Sequence, residues 1–251
     1  MSDLYVDSWG AGIPVVLVHG SLAIGDEEWQ AQRPLADEGF RLLVLDRRGY
    51  GRSPAADGED FLQDAEDLAE LMGDGAHLVG HSYGGLGALL AAARRPEATL
   101  SLVLLEPAAF GMGQRDPAGR ALVESVRRLW GEDLPDEEWV VRFLEAVGSD
   151  PAAMPPELVA AALPLVPVCR RGRPGWQSEL PLDQLAATRF PKLVVSGGHD
   201  AGFDAICDEL AERIGASRAV VTGAGHEIQL AGAPINDVLL SLWRTSASAW
   251  P

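Results

Sequence analysis

Short apolar runs recur along the chain and alternate with longer segments of helical spacing. Six of these runs show little polar alternation and lie at residues 15–18, 42–45, 77–79, 102–105, 193–195 and 219–221. Strands that are covered on both faces of a sheet lose polar alternation, so the runs predict buried parallel strands. Residues 4–9 alternate between apolar and polar instead, which predicts an edge strand.

Helical spacing of apolar residues fills the gaps between these runs. It occurs at residues 28–38, 60–72, 85–95, 205–214 and 235–243. Strands that alternate with helices predict an α/β fold with a mostly parallel twisted sheet and helices on both faces.

One long segment departs from this alternation. Residues 111–190 hold nine of the 17 prolines and no strand-like run. Helical fragments within it lie at residues 118–130, 136–147 and 156–163. We interpret residues 111–190 as a helical lid inserted into a core domain made of residues 1–110 and 191–251.

Composition and charge narrow the function classes. The chain has 251 residues, of which 47% are apolar and 23% charged, as expected for a folded globular domain. A formal charge of −17 opposes binding to nucleic acid or to anionic membranes. We therefore expect a small-molecule substrate as the partner, and the oligomeric state stays open.

Features that the sequence lacks bear on its cofactors and on its location in the cell. Cys169 and Cys207 are too few for a disulfide framework, and the first residues show no apolar signal core. These features predict a cytoplasmic protein. We also expect no metal and no cofactor, because neither metal-ligand spacing nor a phosphate-binding loop occurs.

A candidate nucleophile lies between a strand-like run and an alanine-rich helical segment. The sequence there is Gly80-His81-Ser82-Tyr83-Gly84, which matches the G-x-S-x-G pattern of a nucleophile elbow. A serine on such a sharp turn needs neighbours with almost no side chain, and Gly80 and Gly84 meet that need. Ser82 is the predicted nucleophile.

An activated serine needs a histidine to accept its proton and a carboxylate to orient that histidine. Among five histidines, His226 is the best candidate, because it follows the last strand-like run in a loop of small residues. The acid is expected between Ser82 and His226 in chain order, at a strand end. Asp200, which ends the segment at residues 192–200, fits that place.

Five motifs together resemble the α/β-hydrolase fold superfamily. They lie at residues 15–21, 45–53, 80–85, 197–200 and 225–226. The resemblance implies Ser82 as nucleophile, His226 as general base and then acid, and Asp200 as the orienting carboxylate. It also implies an oxyanion hole built from the backbone N–H groups of Ser21 and Tyr83.

The identity of the acid is open between two residues. The segment after Asp200 lacks the proline that members of the superfamily often carry nearby. In some members the acid follows the preceding strand, where this chain has Glu106. Asp200 is the first choice, and Glu106 is the alternative.

The resemblance also implies a reaction class. Epoxide hydrolases and haloalkane dehalogenases of this fold use aspartate where this chain has Ser82, so both activities are disfavoured. We expect a serine hydrolase that cleaves a small, mostly apolar carboxylic ester or related acyl compound through an acyl-enzyme. Alternatives that keep the triad are acyl transfer, carbon–carbon bond hydrolysis and perhydrolysis, and a further one is a ligand-binding or signalling module with little turnover.

Two groups of residues in residues 111–190 have an open role. Trp130, Trp139, Phe143 and Trp176, with Phe110 before them, are candidates for a pocket lining or for the core of the lid. Arg170, Arg171 and Arg173 predict a solvated turn, with contact to an anionic substrate as the alternative.

Overall fold

A computed structural model describes residues 3–152, 154 and 156–246. In this part of the chain seven strands form one sheet. The strands are β1 (Val6–Gly10), β2 (Ile13–Val18), β3 (Phe40–Leu45), β4 (Ala76–His81), β5 (Thr99–Leu105), β6 (Lys192–Ser196) and β7 (Ser217–Val220). Each strand covers or overlaps one of the predicted runs.

The order of the strands across the sheet is β1-β3-β2-β4-β5-β6-β7. Strand β1 pairs antiparallel with β3, and the other pairs are parallel. The prediction of a mostly parallel α/β sheet is confirmed. The predicted run at residues 219–221 extends past the end of β7, whose residues are half-buried or exposed because β7 is an edge strand.

Helices cover both faces of the sheet in the described residues. They are α1 (Gly25–Glu28), α2 (Phe61–Leu71), α3 (Ser82–Arg94), α4 (Pro117–Trp130), α5 (Asp136–Ala146), α6 (Pro156–Ala162), α7 (Val166–Arg171), α8 (Leu182–Ala186), α9 (Ala201–Ile214) and α10 (Ala233–Ser246). The helix predicted at residues 28–38 is instead the end of α1 followed by a 3₁₀ helix, Gln30–Glu38, that contains Pro34. Proline lacks the N–H that an α-helix interior requires.

Two apolar clusters form the core, one on each face of the sheet. One joins α2, α3 and α9 to the helices between β5 and β6. The other lies under α10, where the rings of Phe40 and Trp243 pack 5.0 Å apart. Helix α3 is almost wholly buried, which explains its run of small alanine and glycine residues.

The five helices α4–α8 all lie between β5 and β6 in the chain. Aromatic rings pack together there, as in the contacts of Trp130 with Trp139 and Trp176 at 5.1 and 5.6 Å between ring centroids. No helix among the described residues is both long enough and apolar enough to span a bilayer.

The carboxyl ends of parallel strands meet at one edge of the sheet, and this edge brings the candidate residues together. Ser82 directly follows β4, Glu106 directly follows β5, and residues 197–200 follow β6. In open α/β sheets ligands bind at this edge.

Candidate active site

Ser82 lies on a sharp turn between β4 and α3. Its φ of 48° is in the left-handed region, which is strained for a residue with a side chain. The turn depends on glycine on both sides. A Cβ at Gly84 would lie 2.3 Å from the carbonyl oxygen of His19, and one at Gly80 would lie 2.7 Å from the Cα of Gly85. The predicted elbow context is therefore present around Ser82.

Backbone strain is concentrated at this edge of the sheet. Among the described residues, the non-glycine residues with positive φ are Leu22, Ser82 and Glu106, at 61°, 48° and 37°. Leu22 belongs to the loop after β2, and Ser82 and Glu106 directly follow β4 and β5. Such conformations cost on the order of 1–3 kcal/mol each and cluster at functional sites.

A continuous chain of hydrogen bonds joins three of the candidate residues. The Ser82 hydroxyl lies 3.1 Å from Nε2 of His226, to which it can donate. On the other side of the ring, Nδ1–H of His226 donates to Oε2 of Glu106 at 2.7 Å. All three side chains are buried. This arrangement has the order of contacts of a nucleophile, a base and an orienting acid.

The structure does not bring Asp200 to His226, which corrects the first choice of acid. The Asp200 carboxylate caps α9 instead, where its Oδ1 accepts hydrogen bonds from the backbone N–H groups of Gly202 and Phe203 at 2.8 and 2.9 Å. An aspartate at this position is a common helix N-cap. Glu106 has the longer side chain and begins at the end of the neighbouring strand β5, so its carboxylate reaches the imidazole.

Glu106 is held ionised by its neighbours. Its Oε1 accepts a 2.7 Å hydrogen bond from Gly197 N–H and lies 3.3 Å from Nδ1 of His199. Burial by itself would raise the pKa of Glu106, but the contacts with His199, His226 and Gly197 lower it to about 2.

His199 is a second imidazole at this carboxylate, and it was not among the predicted site residues. Its Nε2 lies 3.2 Å from the carbonyl oxygen of Val147, in the segment between α5 and α6. The Glu106 carboxylate raises the pKa of His199 to about 9, against the opposing effect of partial burial. The only sequence signal was its place beside Asp200 after a strand.

The loop after β2 lies against Ser82 and is held by two carboxylates. Gly20 N–H donates to both oxygens of Glu28, at 3.2 and 3.0 Å. The Ser21 hydroxyl donates to Glu59, at 2.8 Å to Oε1. The hydroxyl of Ser21, a predicted oxyanion residue, is thus engaged by Glu59, and Ser21 lines the same cavity as Ser82.

Tyr83, the other predicted oxyanion residue, occupies the first turn of α3. Backbone N–H groups in a first helical turn lack partners within the helix and can bind anions. The Tyr83 hydroxyl donates to the carbonyl oxygen of Arg173 at 2.7 Å and so ties the elbow to residues 111–190.

The turn at residues 46–53 supports the loop from behind. The buried guanidinium of Arg47 forms ion pairs with Glu59 and Asp64 at 2.8 and 3.0 Å. It also donates to the carbonyl oxygens of His19 and Gly20, at 3.0 and 2.9 Å. Arg47 therefore fixes the loop's backbone, which is a structural role.

A mostly apolar cavity of about 160 Å³ opens above Ser82. The lining on the side of α5 and α6 is apolar and comprises Phe143, Leu144, Val147, Met154, Leu158, Val159, Ala161, Ala162 and Leu165. The lining also includes Glu27, Glu28 and Glu227. No lysine or arginine belongs to this lining, as far as the structure describes the chain.

The open roles in residues 111–190 are now assigned for the described side chains. Of the five aromatic residues considered for the pocket, Phe143 lines the cavity. The others pack among themselves or in the core, as Trp139 does against Phe143 at 5.2 Å. Arg170 pairs with Asp136 and Arg173 with Asp60, and neither lines the cavity.

One group of potential metal-binding atoms occurs at the site. Atoms of Glu106, His199 and His226 lie within 4.8 Å of one another. The hydrogen bond between Glu106 and His226 accounts for their proximity without an ion, so this geometry carries no metal assignment.

A sequence pattern of the alpha/beta hydrolase family matches residues 15–238 of this chain. Lipase LipV of Mycobacterium tuberculosis is 32% identical over 185 residues, which are 71% of this chain and 68% of the lipase. The bifunctional esterase/perhydrolase DCH of Acinetobacter calcoaceticus is 36% identical over 110 residues, which are 41% of this chain and 40% of that protein. The chain spans less than two thirds of the length of three curated relatives. The shares are 40% for the esterase/perhydrolase DCH and 32% and 57% for the other two.

Solved structures share the fold over nearly the whole chain. A thermophilic esterase from Thermogutta terrifontis superposes with a TM-score of 0.71 at 25% identity. The superposition covers 97% of this chain and 93% of the esterase.

Proposed function

The chain belongs to the alpha/beta hydrolase family and is an enzyme of that class, and we propose that it is a serine hydrolase that cleaves small, mostly apolar carboxylic esters. The observation that carries the proposal is the hydrogen-bond chain from Ser82 through His226 to Glu106, at 3.1 and 2.7 Å, on the floor of an apolar cavity. The relatives named lipase and esterase support the same class.

In the first step, the Ser82 hydroxyl attacks the ester carbonyl carbon. Nε2 of His226 takes the hydroxyl proton as the new C–O bond forms. Glu106 accepts the hydrogen bond from Nδ1–H of His226, so it fixes the tautomer of the ring and stabilises the imidazolium. The low pKa of Glu106 keeps its carboxylate ionised during this step. His226 then protonates the leaving alkoxide, and the alcohol departs from the acyl-enzyme.

Charge that develops on the carbonyl oxygen needs hydrogen-bond donors. We assign that role to the backbone N–H groups of Ser21 and Tyr83, which flank Ser82 from the loop after β2 and from the start of α3. Gly20 N–H is already engaged by Glu28. Removal of one such donor typically costs about 10²–10³ in kcat.

In the second step, water attacks the acyl carbon while His226 accepts a proton from it. The bond to Ser82 breaks, the carboxylic acid leaves, and Ser82 regains its proton from His226. Residues 111–190 act as the lid in this proposal, because α5 and α6 supply the apolar wall above Ser82. A cavity of about 160 Å³ suits short acyl chains.

Perhydrolysis is a second candidate, and the relative named bifunctional esterase/perhydrolase favours it. Hydrogen peroxide would replace water in the second step, so that the acyl group leaves as a peracid. Both reactions use the same acyl-enzyme. A peracid assay in the presence of hydrogen peroxide separates them.

The test is turnover of p-nitrophenyl acetate, butyrate and octanoate by the wild type and by Ser82→Ala. The proposal predicts multiple turnovers by the wild type, with the shorter esters preferred, and background rates for the variant. Full activity in Ser82→Ala would overturn the nucleophile assignment. Absence of turnover with all esters would favour the alternative of a ligand-binding module.

A further inference from the structure

Behind the proposed triad lies a buried ion pair that takes no part in the mechanism above. Nδ1 of His81, the residue before Ser82, lies 3.0 Å from Oε1 of Glu28. Both side chains are about 95% removed from solvent. Ion pairs this deeply buried cost desolvation free energy and are weak evidence for stability alone, so their placement calls for a functional explanation.

The pair connects the three chain segments that form the site. The loop after β2, which holds Gly20 and Ser21, is called the oxyanion loop here. Both oxygens of Glu28 accept hydrogen bonds from the N–H of Gly20 in this loop. Nε2 of His81 lies 3.1 Å from the carbonyl oxygen of His226. His226 lies in the loop after β7, which is called the base loop here. Because His81 is also joined covalently to Ser82, the pair links the oxyanion loop, the nucleophile turn and the base loop through side chains.

The contacts require a charged imidazole. Each ring nitrogen of His81 faces an oxygen acceptor, and a neutral imidazole has only one N–H to donate. Both oxygens of Glu28 accept from the one N–H of Gly20, so the proton between Glu28 and His81 is assigned to the ring. The side-chain amide nitrogen of Gln229 lies 3.3 Å from Nδ1 of His81. The amide oxygen of Gln229 has no hydrogen-bond partner among the described residues. A flip of this amide by about 180° would place the oxygen where it accepts a hydrogen bond from Nδ1–H.

The surrounding charges agree with this state. Burial by itself would lower the pKa of His81, but the nearby carboxylates, Glu28 foremost, outweigh burial and raise it. The titratable groups that act on or contact His81 from neighbouring elements are Glu28, Glu227, Glu106, His19 and His226.

We propose that Glu28 and His81 form a charged positioning pair that holds the oxyanion loop, the nucleophile turn and the base loop in register, and that hydrolysis requires its ionised form. The inference rests on the proposed serine-hydrolase function. Neither residue takes a proton from the substrate. Both act through Gly20, Ser82 and His226.

The test compares wild type, Glu28→Gln and His81→Gln on p-nitrophenyl butyrate across pH. Asp67→Asn is the matched control, because Asp67 is also a carboxylate in an ion pair, with Arg48, but lies on α2 outside the cavity. We expect kcat to fall about tenfold to a hundredfold in both site variants, with KM nearly unchanged, since the oxyanion donors lose their alignment. Asp67→Asn keeps the wild-type kcat.

The pH dependence of kcat distinguishes a positioning role of the Glu28–His81 pair from a general disturbance of the structure. Loss of the Glu28 charge lowers the pKa of His81, so the remaining activity of Glu28→Gln declines at lower pH than that of wild type. His199 also titrates in the alkaline range, and for this reason the shift between variants, not the decline itself, is the readout. A His81→Gln profile lacks the His81 step.

A measurement on the unaltered protein covers the case in which the variants do not fold. Nitrogen-15 chemical shifts of the His81 ring, assigned by their loss in His81→Gln or by through-bond correlation in wild type, report its protonation. We expect both ring nitrogens to be protonated at neutral pH. A neutral ring, or variants with wild-type kcat and an unmoved profile, would overturn the inference, whereas a wild type that turns over no ester would instead overturn the proposed function.

Discussion

The carboxylate of Glu106 accepts a 2.7 Å hydrogen bond from Nδ1 of His226. Glu106 follows β5. Asp200, the first choice of acid from the sequence, follows the next strand, β6, and its carboxylate caps α9. In the proposed triad the acid therefore follows β5, the strand next to β4, which the proposed nucleophile follows.

Exchange of the acid separates the two candidates. We expect Glu106→Gln to lower kcat by about 10³–10⁴, because a neutral amide no longer stabilises the imidazolium or its tautomer. Asp200→Asn should stay close to wild type, because asparagine caps a helix as well as aspartate does. Steady-state kinetics on p-nitrophenyl butyrate measure both, and a larger loss in Asp200→Asn would restore Asp200 as the acid.

The ion pair between His199 and Glu106 predicts a pH-dependent stability. Its partner raises the pKa of His199 from 6.5 to about 9 on folding. The contribution of a group with a raised folded-state pKa is complete below the unfolded-state value and is lost as pH rises through the folded-state value. The difference in unfolding free energy between wild type and His199→Gln should therefore shrink between pH 6.5 and about 9. Urea titrations at several pH values measure it, and a constant difference would contradict the ion pair.

A larger side chain in the cavity should shorten the preferred acyl chain. Ala162 is buried and lines the cavity, whereas Ala160 on the same helix is exposed and does not. We expect Ala162→Phe to lose octanoate and butyrate turnover while it retains acetate turnover, because the new ring occupies the apolar wall. Ala160→Phe should keep the wild-type chain-length profile. Equal effects of the two substitutions would place the acyl chain elsewhere.

Carboxylates at the cavity predict discrimination by substrate charge. Glu227 is half-buried, lies next to His226 in the chain, and lines the cavity, where its carboxylate accepts a hydrogen bond from Ser149. We expect the p-nitrophenyl monoester of glutaric acid, an anion, to react more slowly than the neutral butyrate. Glu227→Gln should raise the relative rate on the anion by about fivefold, the size expected for a partly screened charge near 4 Å. Glu137→Gln, an exposed change on α5, is the control, and an unaltered ratio in Glu227→Gln would exclude this role.

The sequence pattern indicated the strands in two ways. Strands β2 to β6 are buried and parallel and leave continuous apolar runs, whereas β1 shows the alternation of an edge strand. The predicted run at residues 219–221 only overlaps the edge strand β7. The position of Ser82 was equally predictable, since the elbow demands glycine at two fixed places. Spacing could not choose between Asp200 and Glu106, because both follow strands at the same edge of the sheet. That choice depends on side-chain reach and on which carboxylate the backbone of α9 already uses.

Other functional contacts left no recognisable pattern in the sequence. Glu28 and His81 are 53 positions apart, and nothing in their spacing indicates that they meet. His199 had a possible signal in its place after β6, but its partner there was unknown. Contacts between distant chain segments depend on the folded sheet and cannot be derived from local periodicity.

The most direct test of the proposed function is intact-mass measurement after treatment with a fluorophosphonate. This reagent captures a serine hydroxyl only when a base activates it. The account predicts a single adduct on wild type, none on Ser82→Ala, and much slower labelling of Glu106→Gln than of Asp200→Asn. An unlabelled but folded wild type, or an adduct that persists in Ser82→Ala, would contradict the assignment of Ser82 as the activated nucleophile.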